Sequence, residues 1–126
     1  MKKVIQVPAG KTDGPPLSSA VQVGSRLYLS GQTPMNMVTG KFVEGDITVQ
    51  TKQVLENIKQ VLEACDAGLD QVVKVVVYLT DLSDFGLFNE MYKQYFSVPY
   101  PVRTLVGAKL LFTFKVEIDV IAELGE

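Results

Sequence analysis

The stretch Tyr100-Pro101-Val102-Arg103-Thr104-Leu105-Val106-Gly107-Ala108, followed after six residues by Lys115-Val116-Glu117-Ile118-Asp119, decides how this chain is read. An apolar run carries a single cation, Arg103, two residues behind a proline. Fourteen residues later Glu117 stands between Val116 and Ile118. If Thr104–Ala108 and Lys115–Ala122 are antiparallel strands folded about Leu110, positions 103 and 117 lie opposite each other. Opposed residues share one face of a sheet. A lone Arg and a lone Glu would then be neighbours on a mostly apolar surface. That is either a cross-strand ion pair or a small anion-binding site with a carboxylate beside it.

Outward from this stretch, composition sets limits. A chain of 126 residues fits one domain, here spanning residues 1–126, large enough to hold a core without disulfides. The 47% hydrophobic content and a positive mean hydropathy leave room for apolar subunit contacts as well as a core. A net charge of −2 with no basic run offers nothing to attract a phosphate backbone, so no nucleic-acid partner is expected. Histidine is absent, which removes Ser-His-Asp and Cys-His catalysis, His-based metal sites and paired-His ribonuclease chemistry. A single cysteine, Cys65, removes a thiolate zinc site, and no clustered Asp/Glu pattern suggests any other metal. Cys65 itself falls on the apolar face of a helix and reads as a small hydrophobe. Lys2-Lys3 is followed too soon by Gln6 and Pro8 for a signal peptide, and no apolar run has membrane-spanning length; a cytoplasmic protein is the expectation.

Along the chain, Lys2–Val7 reads as a strand and Ala9–Pro16 as a turn-rich loop. Gly10-Lys11-Thr12 invites comparison with a phosphate loop, but lacks its upstream glycine and reads as a surface turn. Ser19–Val23 and Arg26–Ser30 form a hairpin about Gly24-Ser25. Asp46 stands where a helix N-cap belongs, and Ile47, Val54, Leu55, Ile58, Val61, Leu62 and Cys65 recur at helical spacing. Gly68 is expected to supply the left-handed stop. Val72–Leu79, uninterrupted save for Lys74, suits a central strand buried on both faces. Asp81 or Ser83 caps a second helix, about Asp84–Phe96, with the stripe Phe85, Phe88, Tyr92, Tyr95 and Phe96 read as core. The order of elements predicts an α+β layer of sheet and two helices.

These residues carry a resemblance. Pro101-Val102-Arg103 with Val116-Glu117-Ile118 resembles the closing signature of the RidA (YjgF) family. Leu29-Ser30-Gly31-Gln32-Thr33-Pro34 is similar to its Ser-Gly-Gln strand end. Gly45-Asp46-Ile47 with Gln50-Thr51 is similar to the start of its first helix, and Asp84-Phe85 with Asn89, Tyr92 and Phe96 to its second. The matches run in order from about Pro16 to Ala122. The resemblance implies a chorismate-mutase-like fold: one mixed sheet of about six strands, two helices on one face, and a homotrimer with clefts between subunits. It implies an enamine/imine deaminase that needs no cofactor or metal and takes small 2-imino and 2-oxo carboxylic acids.

Within that resemblance Arg103 grips the substrate carboxylate, which a guanidinium fork does through two parallel hydrogen bonds. Glu117 orients and deprotonates a water. Ser30, as a donor, Gly31 and Asn89 line the cleft. Apart from the resemblance, Arg103 reads first as half of a structural ion pair, Glu117 as its other half or a solvent-facing strand residue, Ser30-Gly31 as turn chemistry and Asn89 as an exposed helical residue. Two substrate-facing positions depart from the family: Leu17 stands where its deaminases commonly have Tyr, and Leu105 where many have Cys. Both make the pocket more apolar. They favour a second reading, a non-catalytic trimer that binds small carboxylates or regulates a partner. An endoribonuclease reading is disfavoured by the acidic balance and the missing histidine.

Overall fold

The structure is a computed structural model that describes residues 1–10 and 14–125. The Gly10–Thr12 turn therefore lies partly outside the described residues. Eight main elements follow one another: β1 (Lys3–Ile5), β2 (Ala20–Val23), β3 (Arg26–Leu29), α1 (Ile47–Ala64), β4 (Val72–Leu79), α2 (Phe85–Tyr92), β5 (Val102–Gly107) and β6 (Val116–Glu123). The strands form one six-stranded mixed sheet in the order β1-β2-β3-β6-β4-β5. Only β4 and β5 are parallel; the other pairs are antiparallel. A parallel pair needs a crossover of a dozen or more residues, and α2 lies within it. Among the described residues no helix is long and apolar enough to cross a membrane.

Helix α1 begins where the Asp46 side chain accepts from the Val49 backbone N–H at 3.0 Å. Such a cap is worth about 1 kcal/mol. Val54, Leu55, Ile58, Val61 and Leu62 are fully buried against the sheet. The helix does not stop at Gly68, which has an extended backbone (φ −139°). Asp66 takes the left-handed conformation at φ 55°, the Ala67 N–H reaches back to the Leu62 carbonyl, and the Asp66 N–H to that of Glu63. This is a Schellman stop, with aspartate, one of the few side chains that tolerate the left-handed region, in the usual glycine place. Cys65 is half-buried at the cap and packs against the core.

At the second helix, Asp81 accepts from the Ser83 N–H and hydroxyl and opens a 3-10 turn, Leu82–Asp84, that runs into α2. Those hydrogen bonds hold the Asp81 carboxyl below its ordinary range. The helix ends at Tyr92 rather than Phe96, because the following turn tightens: the Tyr95 N–H donates to the Tyr92 carbonyl, three residues back. Phe88, Tyr92 and Phe96 are buried as expected, whereas Phe85, at the first turn, is 46% exposed.

Strand β4 is central and has the expected bounds, but it is covered on one face only. Val75, Val77 and Leu79 are fully buried under the helices, while Lys74 is exposed and Val76 and Tyr78 half-buried on the other side. In β6, Val116, Ile118, Val120 and Ala122 alternate in the same way with half-buried Glu117, Asp119, Ile121 and Glu123. The sheet thus has a helix-covered face and an open face.

The expected hairpin of the last two strands does not form. β5 pairs with β4 in parallel, Val75 opposite Arg103, and β6 pairs with the other edge of β4, Tyr78 opposite Glu117. β4 lies between them. The connection bridges the end of β4: the Ala108 N–H donates to the Leu79 carbonyl, and the Thr80 N–H to that of Lys115. A valine-rich strand with two free edges offers each neighbour a full ladder and a buried face, which a six-residue apolar connection folded on itself would not.

Candidate functional site

Opposite residues of a ladder point to one face, so the register settles where the two charged groups lie. Arg103 pairs with buried Val75 and faces the helices; Glu117 pairs with Tyr78 and faces the open side. Within one chain the cation and the carboxylate lie on opposite faces, with a strand between them. Among the described residues the ion pairs are Arg26–Glu123 and Lys93–Glu90, and Arg103 takes part in neither. The ion-pair reading of Arg103 and Glu117 is thereby removed for the single chain.

The first group of residues is built on packing. Arg103 enters β5 just behind Pro101, and its Nη1 donates to the Asn89 side-chain oxygen at 2.9 Å. Its guanidinium lies 4.9 Å from the Tyr92 ring centre, 5.7 Å from that of Phe88 and 5.9 Å from that of Phe85. A guanidinium over aromatic faces is attracted by the ring quadrupoles. Asn89 occupies one of five N–H donors and leaves the rest for an anion. The cleft beside it, about 260 Å³, is lined by Asn89, Tyr92, Lys93, Tyr100, Pro101 and Arg103. Leu105, two residues along the same face, is half-buried and packs against the core. Burial pushes the Tyr92 phenol up, partly offset by the Arg103 charge.

The second group is built on backbone. Beyond β3 the Gln32 N–H donates to the Ile118 carbonyl at 2.8 Å, and the Ile118 N–H returns to Gln32 at 3.1 Å. From Tyr28 to Gln32 is four residues, whereas their partners Ile121 and Ile118 are three apart, so one extra residue bulges beside β6. Gly31 is carried against Glu117. A Cβ at Gly31 would overlap the carboxylate oxygen Oε2 and lie 3.1 Å from the carboxyl carbon. The missing side chain makes room for the carboxylate. Burial, then the charge of Asp119, push the Glu117 carboxyl up. The Ser30 hydroxyl is not the free donor that was expected: it donates to the Ser18 carbonyl at 2.6 Å, fastening the preceding loop to the end of β3 and leaving only lone pairs for a ligand. Leu17 is 57% exposed and stands with Ser30 and Gly31 on the wall of a cavity of about 640 Å³.

The expected residues therefore form two sets: Arg103, Asn89 and Leu105 on the helix face, and Glu117 on the open face beside Gly31, which shares a cavity wall with Ser30 and Leu17. Sequence reasoning missed Asp119, although its two-residue spacing from Glu117 in a strand assigns both to one face. It also read Tyr92 as core alone. Among the described residues no group of three or more His, Cys, Asp or Glu side chains is placed to hold a metal ion.

Comparison with known proteins identifies relatives in sequence and fold. The family model described as Endoribonuclease L-PSP matches residues 12–124. A RutC family protein of Pyrococcus horikoshii is 43% identical over 97% of this chain and 98% of its own. A 2-iminobutanoate/2-iminopropanoate deaminase of Dermatophagoides farinae is 40% identical over 94% of this chain and 93% of its own. A crystallised Rid-family protein of unknown function from Yersinia pestis superimposes with a TM-score of 0.91, is 37% identical, and covers 98% of this chain and 99% of its own. A small α+β protein with a split cation and carboxylate is the class defined by fold and site. The chain belongs to the RidA family.

Proposed function

We propose that this protein is a deaminase of reactive imines and enamines of 2-oxo acids, acting as a homotrimer with a cleft at each subunit boundary. The observation that carries the reading is the separation of Arg103 from Glu117. Neither set of residues makes a site alone. A cyclic assembly, in which the helix-side set of one protomer meets the open-face set of the next, completes a site at every boundary. Relatives named 2-iminobutanoate/2-iminopropanoate deaminase, such as that of Dermatophagoides farinae, support the choice of reaction.

The chemistry asks little beyond positioning. Arg103, oriented by Asn89, binds the substrate carboxylate through its free N–H edge. Glu117 orients a water and takes its proton as oxygen bonds to the imine carbon, and the nitrogen gains a proton. The resulting carbinolamine expels ammonia and leaves the 2-oxo acid: one water in, one ammonia out. A carboxyl raised above its ordinary range is better matched to this exchange near neutral pH, because its proton affinity is closer to that of the medium. No metal or cofactor enters the scheme, and the cytoplasm is the proposed location. Arg103, Glu117, Asn89, Gly31 and Ser30, which could only accept, are the proposed site, with Leu17 and Leu105 as its apolar walls.

The deciding experiment is a coupled assay for 2-oxobutanoate and ammonia with freshly generated 2-iminobutanoate. Release above the spontaneous rate supports the reading; release at the spontaneous rate with every imine tried, larger apolar ones included, ends it. The exposure of Leu17, which offers no hydroxyl, favours one alternative, a non-catalytic trimer that binds small carboxylates. That protein would bind 2-oxobutanoate and leave the imine rate unchanged.

A further inference from the structure

We propose that Tyr92 is a positioning residue, whose ring fixes the plane of the Arg103 guanidinium and so sets the affinity for the substrate carboxylate. The inference rests on the reading of Arg103 as the carboxylate anchor. Three observations lead to it.

Of the three rings within 6 Å of the guanidinium, that of Tyr92 is nearest, at 4.9 Å. The ring is itself held. Phe96 stacks on it with centres 4.6 Å apart, Phe88 lies at 5.7 Å, and only 5% of the Tyr92 surface is exposed. A ring locked on its neighbours is a stable shelf for a planar cation, which keeps its N–H edge turned outward. The third observation concerns the hydroxyl. The Tyr92 oxygen is buried and has no hydrogen-bond partner among the described residues. Leaving a buried polar group unpaired costs stability, so the hydroxyl is not what stabilises this position. What the residue contributes lies in its ring. Asn89 cannot do the same alone, since a single hydrogen bond at Nη1 leaves the group free to rotate about that contact.

The hydroxyl and the ring separate experimentally. Tyr92→Phe keeps the shelf and removes the unpaired oxygen; Tyr92→Leu keeps an apolar side chain and removes the shelf. Binding of 2-oxobutanoate, a stable carboxylate probe, is measured by calorimetry on the whole protein, with melting temperatures recorded alongside. Tyr92→Phe is expected to bind within about twofold of the parent and to melt at the same or a higher temperature. Tyr92→Leu is expected to bind about 3- to 30-fold more weakly, the range of a desolvated cation–π contact. In steady state the loss should fall on KM, with kcat largely kept. In an Arg103→Lys background, where no planar group rests on the ring, the Tyr92→Leu penalty should shrink below about twofold. Should Tyr92→Leu fail to fold, Tyr92→Met fills the volume with an unbranched chain and serves in its place.

The proposal is overturned if the ringless variant binds like the parent, if Tyr92→Phe loses as much as Tyr92→Leu, or if the penalty persists undiminished in the Arg103→Lys background. Failure of the underlying reading looks different: Arg103→Ala would then bind 2-oxobutanoate as well as the parent does.

Discussion

Arg103 and Glu117 are held by opposite kinds of structure. Arg103 lies on side-chain packing, a guanidinium on a tier of rings that donates one hydrogen bond to Asn89. Glu117 lies on backbone, a carboxylate beside a bulged segment whose glycine has no side chain to displace it. The first arrangement fixes a charge that never changes sign and must be aimed. The second leaves room around a group that, in the proposed mechanism, gains and loses a proton. Substitutions should therefore act differently in the two regions: on binding at Arg103, and on turnover at Glu117.

The largest effect expected from that contrast is on turnover. Glu117→Gln keeps the volume and one acceptor oxygen but cannot take a proton, so kcat should fall by about 10²–10⁴-fold. Binding of 2-oxobutanoate should hold or tighten, since a negative charge near the substrate carboxylate has gone. Unchanged imine hydrolysis would remove Glu117 from the mechanism.

Next comes binding. Arg103→Lys should weaken 2-oxobutanoate binding by tens-fold or more, because the paired geometry of a charge-assisted contact is lost. Calorimetry reads it directly, and an affinity within twofold of the parent would contradict the role. The two variants also test whether the site is divided between chains. In the proposed trimer, Arg103→Ala and Glu117→Gln chains alone should each be nearly inactive. After unfolding and refolding a 1:1 mixture of Arg103→Ala and Glu117→Gln chains, about a quarter of the clefts in a cyclic trimer draw both intact residues from different chains. Recovery of activity to that order supports the divided site; no recovery from mixed trimers would restore the single-chain picture.

A smaller effect is expected from Gly31→Ala. The new methyl meets the tip of a flexible side chain, so the fold should survive while the carboxylate swings aside. A fall in kcat of roughly tenfold, with binding unchanged, is the expected outcome. Normal turnover would mean that Glu117 need not sit against the strand end.

How far the sequence foretold this follows from what periodicity encodes. A run of valines marked Val72–Leu79 with its observed ends, and an aspartate before an amphipathic pattern marked the cap of α1. Those signals are local. The pairing of β5 and β6 is not: spacing placed Arg103 and Glu117 symmetrically about Leu110, but period-two patterning assigns faces and is silent about partners. The hairpin was the shorter connection, yet the apolar edges of β4 prevailed. The same limit explains why β4 looked buried on both sides. An apolar open face reads like a buried one, because hydropathy records what a surface avoids and not what covers it. At the site, residue types were legible and their engagements were not. Nothing in the identity of Ser30 reveals that its proton goes to Ser18, and nothing in that of Tyr92 distinguishes a core ring from one beneath a guanidinium.

The smallest expected effect separates the two regions by pH alone. Burial and the neighbouring Asp119 raise the Glu117 carboxyl above its ordinary value of 4.5. A raised value means that the folded chain holds this proton more tightly than the unfolded chain does. The stability this gives is complete below the ordinary value and is lost as pH rises through the folded value. Above that, the parent carries a partly buried charge that Glu117→Gln does not. The melting temperature of Glu117→Gln relative to the parent should therefore be highest near neutral pH, decline as pH falls through the raised folded value toward 4.5, and level off below that. The Tyr92 phenol, raised by burial above its ordinary value of 10.0, stays protonated through the whole of this window. The difference between Tyr92→Phe and the parent should accordingly be flat across the same scan. Differential scanning calorimetry of the three proteins from pH 4 to 8 makes the test. A flat difference for Glu117→Gln would mean that the carboxylate is fully hydrated in the assembled protein. Turnover would then have to rely on an ordinary carboxylate, and the advantage argued for a raised one would be lost.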